Sequence, residues 1–77
     1  MADAENTVVG ALRGLLRRRK DNNVEVSADS DLYDDLMLDS LEVAEFSAAL
    51  EDELGTDPYT AGIMPETVGD VIAFYAV

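Results

Sequence analysis

Apolar residues recur at helical spacing near the start of the chain, which predicts a first helix over about residues 3–20. Its apolar positions are Val8, Val9, Leu12, Leu15 and Leu16. Acidic residues at the start of this segment and basic residues at its end suit the dipole of a helix. Gly10 and Gly14 lower helix propensity, and we expect another helix to approach closely at these two positions.

A long connection is predicted next, over about residues 21–38. It begins at Asp21-Asn22-Asn23 and shows no extended helical spacing. The apolar residues that can fix it to a core are Val24, Val26, Leu32, Leu36 and Leu38. We expect one short helical turn over residues 31–35. An irregular connection of this length is uncommon in a compact domain and is often functional.

A second helix is predicted over about residues 40–54, with Gly55 as its C-cap. Its inner stripe is formed by Val43, Phe46, Leu50 and Leu54. The dipeptide Asp57-Pro58 breaks the pattern again, and a weakly defined helical turn is expected over residues 60–64.

The last predicted helix begins at a capping pair formed by Thr67 and Asp70. Its apolar stripe consists of Val68, Val71, Ile72 and Tyr75. Because no strand pattern or repeat appears, we expect one all-α domain over residues 1–77, a small bundle crossed by one long loop. Met1 lies near the first helix and the chain stops just after the last one, so we expect a discrete protein.

Composition narrows the chemistry that a chain of 77 residues can perform. The absence of cysteine excludes disulfides and thiolate metal sites, and the absence of histidine removes the commonest general base. So small a domain leaves little room for a large catalytic cleft. An EF-hand counted from Asp29 fails at positions six and twelve, which hold Asp34 and Ser40. We therefore expect no metal site.

The net charge of −12 is unevenly distributed. Every basic residue lies within residues 13–20, and every acidic residue except Asp3 and Glu5 lies after them. Such a surface repels nucleic acid and anionic membranes and attracts basic patches on partner proteins. No apolar run is long enough to cross a bilayer, and no secretory signal is apparent. We expect a cytoplasmic monomer.

The most informative motif is Asp39-Ser40-Leu41, where the long connection meets the second helix. Asp39 can cap that helix, with Glu42 three residues later as its reciprocal partner. Ser40 is then the first helical residue, and its hydroxyl can face water. The motif alone is also compatible with an ordinary helix cap. A hydrolytic serine is disfavoured because the chain has no histidine and only one lysine, Lys20.

The surroundings of this motif resemble the acyl carrier protein family. The resemblance covers residues 26–41, continues through residues 42–46 and the acidic residues 51–53, and resumes at residues 66–71. It implies the family's four-helix bundle, with a long loop between the first two helices and a short third helix. Ser40 would carry a 4′-phosphopantetheine arm, which a magnesium-dependent phosphopantetheinyl transferase installs from coenzyme A, with Asp39 and Leu41 helping the transferase to recognise it.

The resemblance also implies a carrier and not an enzyme. The thiol of the arm would hold an acyl, polyketide or aminoacyl group as a thioester, which suits a chain without cysteine. The partners would be acyltransferase, synthase or ligase enzymes with basic docking patches. The residues expected to face them are Leu41, Glu42, Glu45, Ala48 and Asp52. These residues lie mostly off the inner stripe, although an ordinary solvated helix face would have the same pattern.

Three departures from the family pattern bear on partner and cargo. Met37 stands where glycine is frequent, Ala48 replaces a larger apolar residue, and residues 57–65 match poorly. The leucine before Asp39-Ser40 favours acyl carriers over peptidyl carriers. These features favour a specialised pathway, such as polyketide or antibiotic biosynthesis, over housekeeping fatty acid synthesis. The rival hypothesis is an acidic helical adaptor that binds basic proteins without a prosthetic group.

Overall fold

The computed structural model describes residues 4–18 and 25–76. It contains three helices, α1 (Ala4–Leu16), α2 (Ser40–Leu54) and α3 (Val68–Tyr75), and no strand within the described residues. Helix α1 packs against both α2 and α3. The predicted all-α class is therefore confirmed. No helix in the described part of the chain is long and apolar enough to cross a membrane.

The core combines the inner stripes of the helices with apolar residues of the long connection. The helices contribute Val8, Leu12, Leu15, Leu16, Phe46, Leu50, Val68 and Val71, and the connection contributes Val26, Leu32, Leu36 and Leu38. All of these predicted core positions are buried. The connection is thus a structural layer of the domain, because its side chains close the core between the helices.

Backbone hydrogen bonds also fasten the connection to the start of α3. The N–H group of Val68 donates to the carbonyl of Ser30 at 3.0 Å, and that of Gly69 donates to the carbonyl of Ala28 at 2.8 Å. The first N–H groups of a helix have no acceptor within it, so the connection supplies these acceptors. A Cβ atom at residue 69 would lie 3.0 Å from the Ala28 oxygen, which explains the glycine there.

The predicted turn and helix caps are confirmed. Within residues 31–35, the N–H group of Asp35 donates to the carbonyl of Asp31 at 3.0 Å, closing one turn. Gly55 caps α2 in the left-handed conformation, with φ at 83°. Thr67 caps α3 through the reciprocal pair with Asp70.

The predicted extent of the first helix is too long at its C-terminal end. Helix α1 ends at Leu16, and Arg17 and Arg18 form a turn in which the Arg18 N–H group donates to the carbonyl three residues earlier. Asp3, Arg19 to Asn23, and Val24 lie outside the described residues. The expected close approach at Gly10 and Gly14 is wrong, since both are exposed and a Cβ atom at either would meet nothing within 4 Å.

The expected fourth helix, a short third element in chain order, is not present among the described residues. Consecutive turns over residues 58–62 replace the helical turn predicted over residues 60–64. The Asp57 carboxylate accepts a hydrogen bond from the Thr60 N–H group at 3.2 Å, which starts a local turn. Gly62 then adopts a left-handed conformation with φ at 85°, which prevents the turns from continuing as a helix.

Candidate functional site

Asp39 caps the start of α2 as the sequence predicts. Its Oδ1 atom accepts a hydrogen bond from the Glu42 N–H group at 2.8 Å, and the Asp39 N–H group donates to Glu42 Oε1 at 3.1 Å. A cap of this kind stabilises a helix by about 1 kcal/mol. Asp39 therefore performs the capping that Ser40 would otherwise be needed for.

Ser40 is the first residue of α2 and is exposed. Within the described residues, no group forms a hydrogen bond with its hydroxyl, and none accepts one from the N–H groups of Ser40 or Leu41. These N–H groups lie at the positive end of the helix dipole, where anionic groups are stabilised. The hydroxyl is thus accessible to another molecule, next to backbone N–H groups that favour negative charge.

A surface groove of about 470 Å³ runs beside the serine. Its lining combines polar and apolar side chains: Tyr33, Leu38, Asp39, Ser40 and Val43. The groove is open to solvent, and no cluster of potential metal ligands occurs in the described part of the chain. It is therefore a surface depression and not an enclosed cleft.

A second groove, of about 540 Å³, lies between the end of α1 and the start of α2. Three of the predicted partner-facing residues, Leu41, Glu42 and Glu45, line it. Leu41 is 67% exposed and Met37, on the same groove, is 70% exposed. The groove therefore presents apolar side chains beside carboxylates.

The remaining predicted partner-facing residues lie farther along α2. Ala48 and Asp52 are exposed and line a shallow depression together with Glu51. Residues 41, 45, 48 and 52 follow the spacing of one helix face, so the structure brings four of the five predicted residues onto one side of α2, and Glu42 lies beside Leu41 on the groove. Phe46 and Leu50, from the inner stripe, are buried on the other side.

The carboxylates of this face differ in their intramolecular bonding. Glu42 is engaged in the cap of α2. Glu45 forms an ion pair with Arg18, which lies in the turn after α1. Asp52 is exposed and forms no hydrogen bond or ion pair with any described residue. The sequence alone indicates an α2 face without basic residues, whereas the fold brings one cation to it.

Met37, two residues before Asp39-Ser40-Leu41, adopts a left-handed backbone conformation. Its φ angle is 55°, in the left-handed region that glycine occupies without strain. The long connection turns there immediately before the helix begins. A glycine would adopt this conformation without strain, whereas the methionine keeps the turn at the expense of backbone strain.

A buried carboxylate lies on the side of α2 that faces the turns of residues 58–62. Asp57 is fully buried, and its Oδ2 atom accepts hydrogen bonds from Ser47 Oγ at 2.6 Å and from the Thr60 N–H group. Burial raises the pKa of Asp57, but these hydrogen bonds outweigh it and hold the pKa below the ordinary value of 3.8. Tyr59, which packs edge-on against Phe46, has its pKa raised by burial.

This buried cluster is remote from Ser40. Ser47 lies seven positions after Ser40 on the same helix, which corresponds to roughly 10 Å along the axis. Asp57 therefore stabilises the turn after α2, and it is too far from the exposed serine to activate it.

Two contributors to the site, Arg18 and Met37, are missing from the sequence-based assignment of docking residues. In the sequence, Arg18 belongs to a basic cluster whose pattern is typical of a solvated helix end. Its contact with Glu45 joins two residues that are 27 positions apart. No local spacing indicates such a contact. Met37 is recognisable from the sequence as a departure, but its position on the groove depends on the fold.

Comparison with known proteins agrees with this geometry. The family model for a phosphopantetheine attachment site matches residues 6–74, which is most of the chain. No solved structure matches the chain. The chain therefore belongs to the family of phosphopantetheine-binding carrier proteins, non-catalytic carriers of the acyl carrier protein type that hold a covalently attached 4′-phosphopantetheine group.

Proposed function

We propose that Ser40 is the residue that bears the 4′-phosphopantetheine group and that the chain presents a thioester-bound intermediate to partner enzymes. The observation that carries this proposal is the division of roles at the start of α2. Asp39 caps the helix through Glu42, while Ser40 is exposed at the first helical position. The chain has no cysteine, so the reactive thiol comes from the prosthetic group.

The electrostatic setting of Ser40 supports the proposal. A phosphodiester on this hydroxyl would carry negative charge beside the carboxylates of Asp39 and Glu42. The N–H groups of Ser40 and Leu41, at the positive end of α2, offset part of that repulsion. Asp39 and Leu41, which flank the serine, would contact the phosphopantetheinyl transferase.

Partner enzymes would dock on the exposed side of α2. The proposed docking residues are Leu41, Glu42, Glu45, Ala48 and Asp52. Leu41 supplies exposed apolar area, and the carboxylates suit basic patches on an acyltransferase, synthase or ligase. Since Glu42 also bonds within the cap, its substitution would change helix stability together with docking, whereas Asp52 reports docking alone.

The cargo would be an acyl or polyketide intermediate of a specialised biosynthetic pathway. This assignment rests on the leucine before Asp39-Ser40 and on Met37, Ala48 and residues 57–65. Native mass spectrometry of the carrier loaded in its producing cells tests it. An acyl or polyketide thioester supports the assignment, and an aminoacyl thioester contradicts it.

The attachment itself is tested with coenzyme A, magnesium and a promiscuous phosphopantetheinyl transferase, followed by intact-mass measurement. We expect a gain of one phosphopantetheine group in the wild type and none in Ser40→Ala. The matched control is Ser27→Ala, which removes another exposed serine and should be modified like the wild type. A non-covalent adaptor predicts no gain in any of the three proteins, and a gain in Ser40→Ala would place the group elsewhere.

A further inference from the structure

Arg18 brings a positive charge to an otherwise acidic surface. Its guanidinium group forms an ion pair with Glu45, and both residues line the groove beside Leu41. Helix α2 itself has no basic residue. The carboxylate of Glu45 is therefore partly neutralised from within the chain before any partner approaches.

The ion pair between Arg18 and Glu45 affects how a basic partner protein can bind to Glu45. A lysine or arginine of a partner that approaches Glu45 meets a carboxylate already bound to a guanidinium group, and it must displace Arg18 or share the carboxylate with it. We propose that Arg18 competes with cationic side chains of partner proteins for Glu45 and thereby weakens their binding at the start of α2. The inference rests on the docking role proposed for this face.

The exposure of the pair makes the competition readily reversible. The side chains of Arg18 and Glu45 are 62% and 35% exposed, and ion pairs in such surroundings contribute little because water and salt screen them. A partner can therefore displace Arg18 without a large penalty. Removal of the arginine should strengthen cation binding at Glu45 by about 1.5- to 5-fold at low ionic strength.

The chain contains an internal reference and a matched control. Asp52 lies on the same face of α2 but bonds to no described residue, so its affinity for a cation should not depend on Arg18. Arg17 is also exposed and carries the same charge, yet forms no ion pair with a described residue. The variant Arg17→Gln thus reproduces the change in net charge without freeing Glu45.

The experiment is a titration of the ¹⁵N-labelled protein with hexalysine at low ionic strength, followed by two-dimensional NMR. The backbone amide of Glu45 reports the competed site, and that of Asp52 reports the free one. In Arg18→Gln we expect the apparent Kd from the Glu45 amide to fall by about 1.5- to 5-fold. The Kd from the Asp52 amide should change no more than it does in Arg17→Gln. Added salt should narrow the difference.

A double variant identifies the route of the effect. In a Glu45→Gln background, Arg18→Gln should change hexalysine binding no more than Arg17→Gln does. The inference is overturned if Arg18→Gln and Arg17→Gln act equally at Glu45, or if the effect of Arg18→Gln persists without the Glu45 carboxylate. A failure of the proposed carrier function can be distinguished from a failure of this inference, because it would appear as the absence of phosphopantetheine transfer to the wild type.

Discussion

The replacement Ser47→Ala distinguishes the effect of helix propensity on stability from the effect of a side-chain hydrogen bond formed in the folded protein. Ser47 lies within α2, where alanine is the better helix former by about 0.5 kcal/mol. Helix propensity alone therefore predicts that the variant is more stable. In the structure, however, Ser47 Oγ donates a 2.6 Å hydrogen bond to the buried Asp57 carboxylate, so its loss leaves a buried charge with one donor fewer.

The magnitude follows from these two opposing contributions. A hydrogen bond to a charged group stabilises a protein by about 1.5–3 kcal/mol. Subtracting the propensity gain leaves a net loss of about 1–2.5 kcal/mol in the free energy of unfolding. For a domain of this size, that loss lowers Tm by roughly 5–15 °C.

Urea denaturation followed by circular dichroism at neutral pH measures this loss. The control is Ala48→Ser, the reverse replacement at the next, exposed position, which should cost only the propensity difference of about 0.5 kcal/mol. The pKa of Asp57 is held below 3.8 in the folded protein, so its carboxylate stabilises the fold above that pH. The gap between wild type and Ser47→Ala should therefore shrink as the pH falls through the folded-state pKa. If Ser47→Ala were as stable as the wild type at neutral pH, the hydrogen bond between Ser47 and Asp57 would not stabilise the fold as described above.

Three further predictions concern the backbone and the caps. Met37→Val should be less stable in urea than Met37→Gly by about 1–2 kcal/mol, because a β-branched residue fits poorly at positive φ; the opposite order would contradict the conformation described. Gly69→Ala should lower the free energy of unfolding by up to about 2 kcal/mol in thermal denaturation, because crowding of a backbone carbonyl by the Cβ atom costs about 1–3 kcal/mol and exceeds the helix-propensity gain of about 1 kcal/mol. A Tm equal to or above that of the wild type would count against that contact. Hydrogen bonds from the Glu66 and Thr67 N–H groups hold the pKa of Asp70 below 3.8, so the stability it provides is lost as the pH falls through the folded value. Asp70→Asn should flatten the acid side of the stability profile, and an unaltered profile would exclude this role.

Much of the fold is readable from local patterns. The α2 boundaries and both capping pairs are confirmed, and the predicted stripes lie in the core or pack partly buried against it, because each depends on residues within one or two helical turns. The end of α1 and the turns of residues 58–62 are less predictable. The turns of residues 58–62 depend on the Asp57 carboxylate, which accepts a hydrogen bond from the Thr60 N–H group, and on the left-handed Gly62, which override weak helical spacing.

In the candidate site, too, the features that depend on neighbouring residues could be predicted, and the contacts between distant residues could not. Asp39 as cap and Ser40 as the exposed residue after it could be predicted from three consecutive positions and Glu42. The contact of Arg18 with Glu45 could not, since it joins the turn after α1 to α2 across 27 positions. The predicted close approach of another helix at the glycines of α1 is wrong, because both glycines are exposed to solvent. A glycine in a helix has low helix propensity whether or not another helix packs against it.

Fragment-ion mass spectrometry identifies directly which residue bears the phosphopantetheine group. The wild-type chain is treated with coenzyme A and the transferase, purified and fragmented along its backbone. We expect every fragment that contains Ser40 to carry the added phosphopantetheine mass, and fragments that end at Asp39 or begin at Leu41 to lack it. Localisation of that mass to any other hydroxyl residue would contradict the assignment.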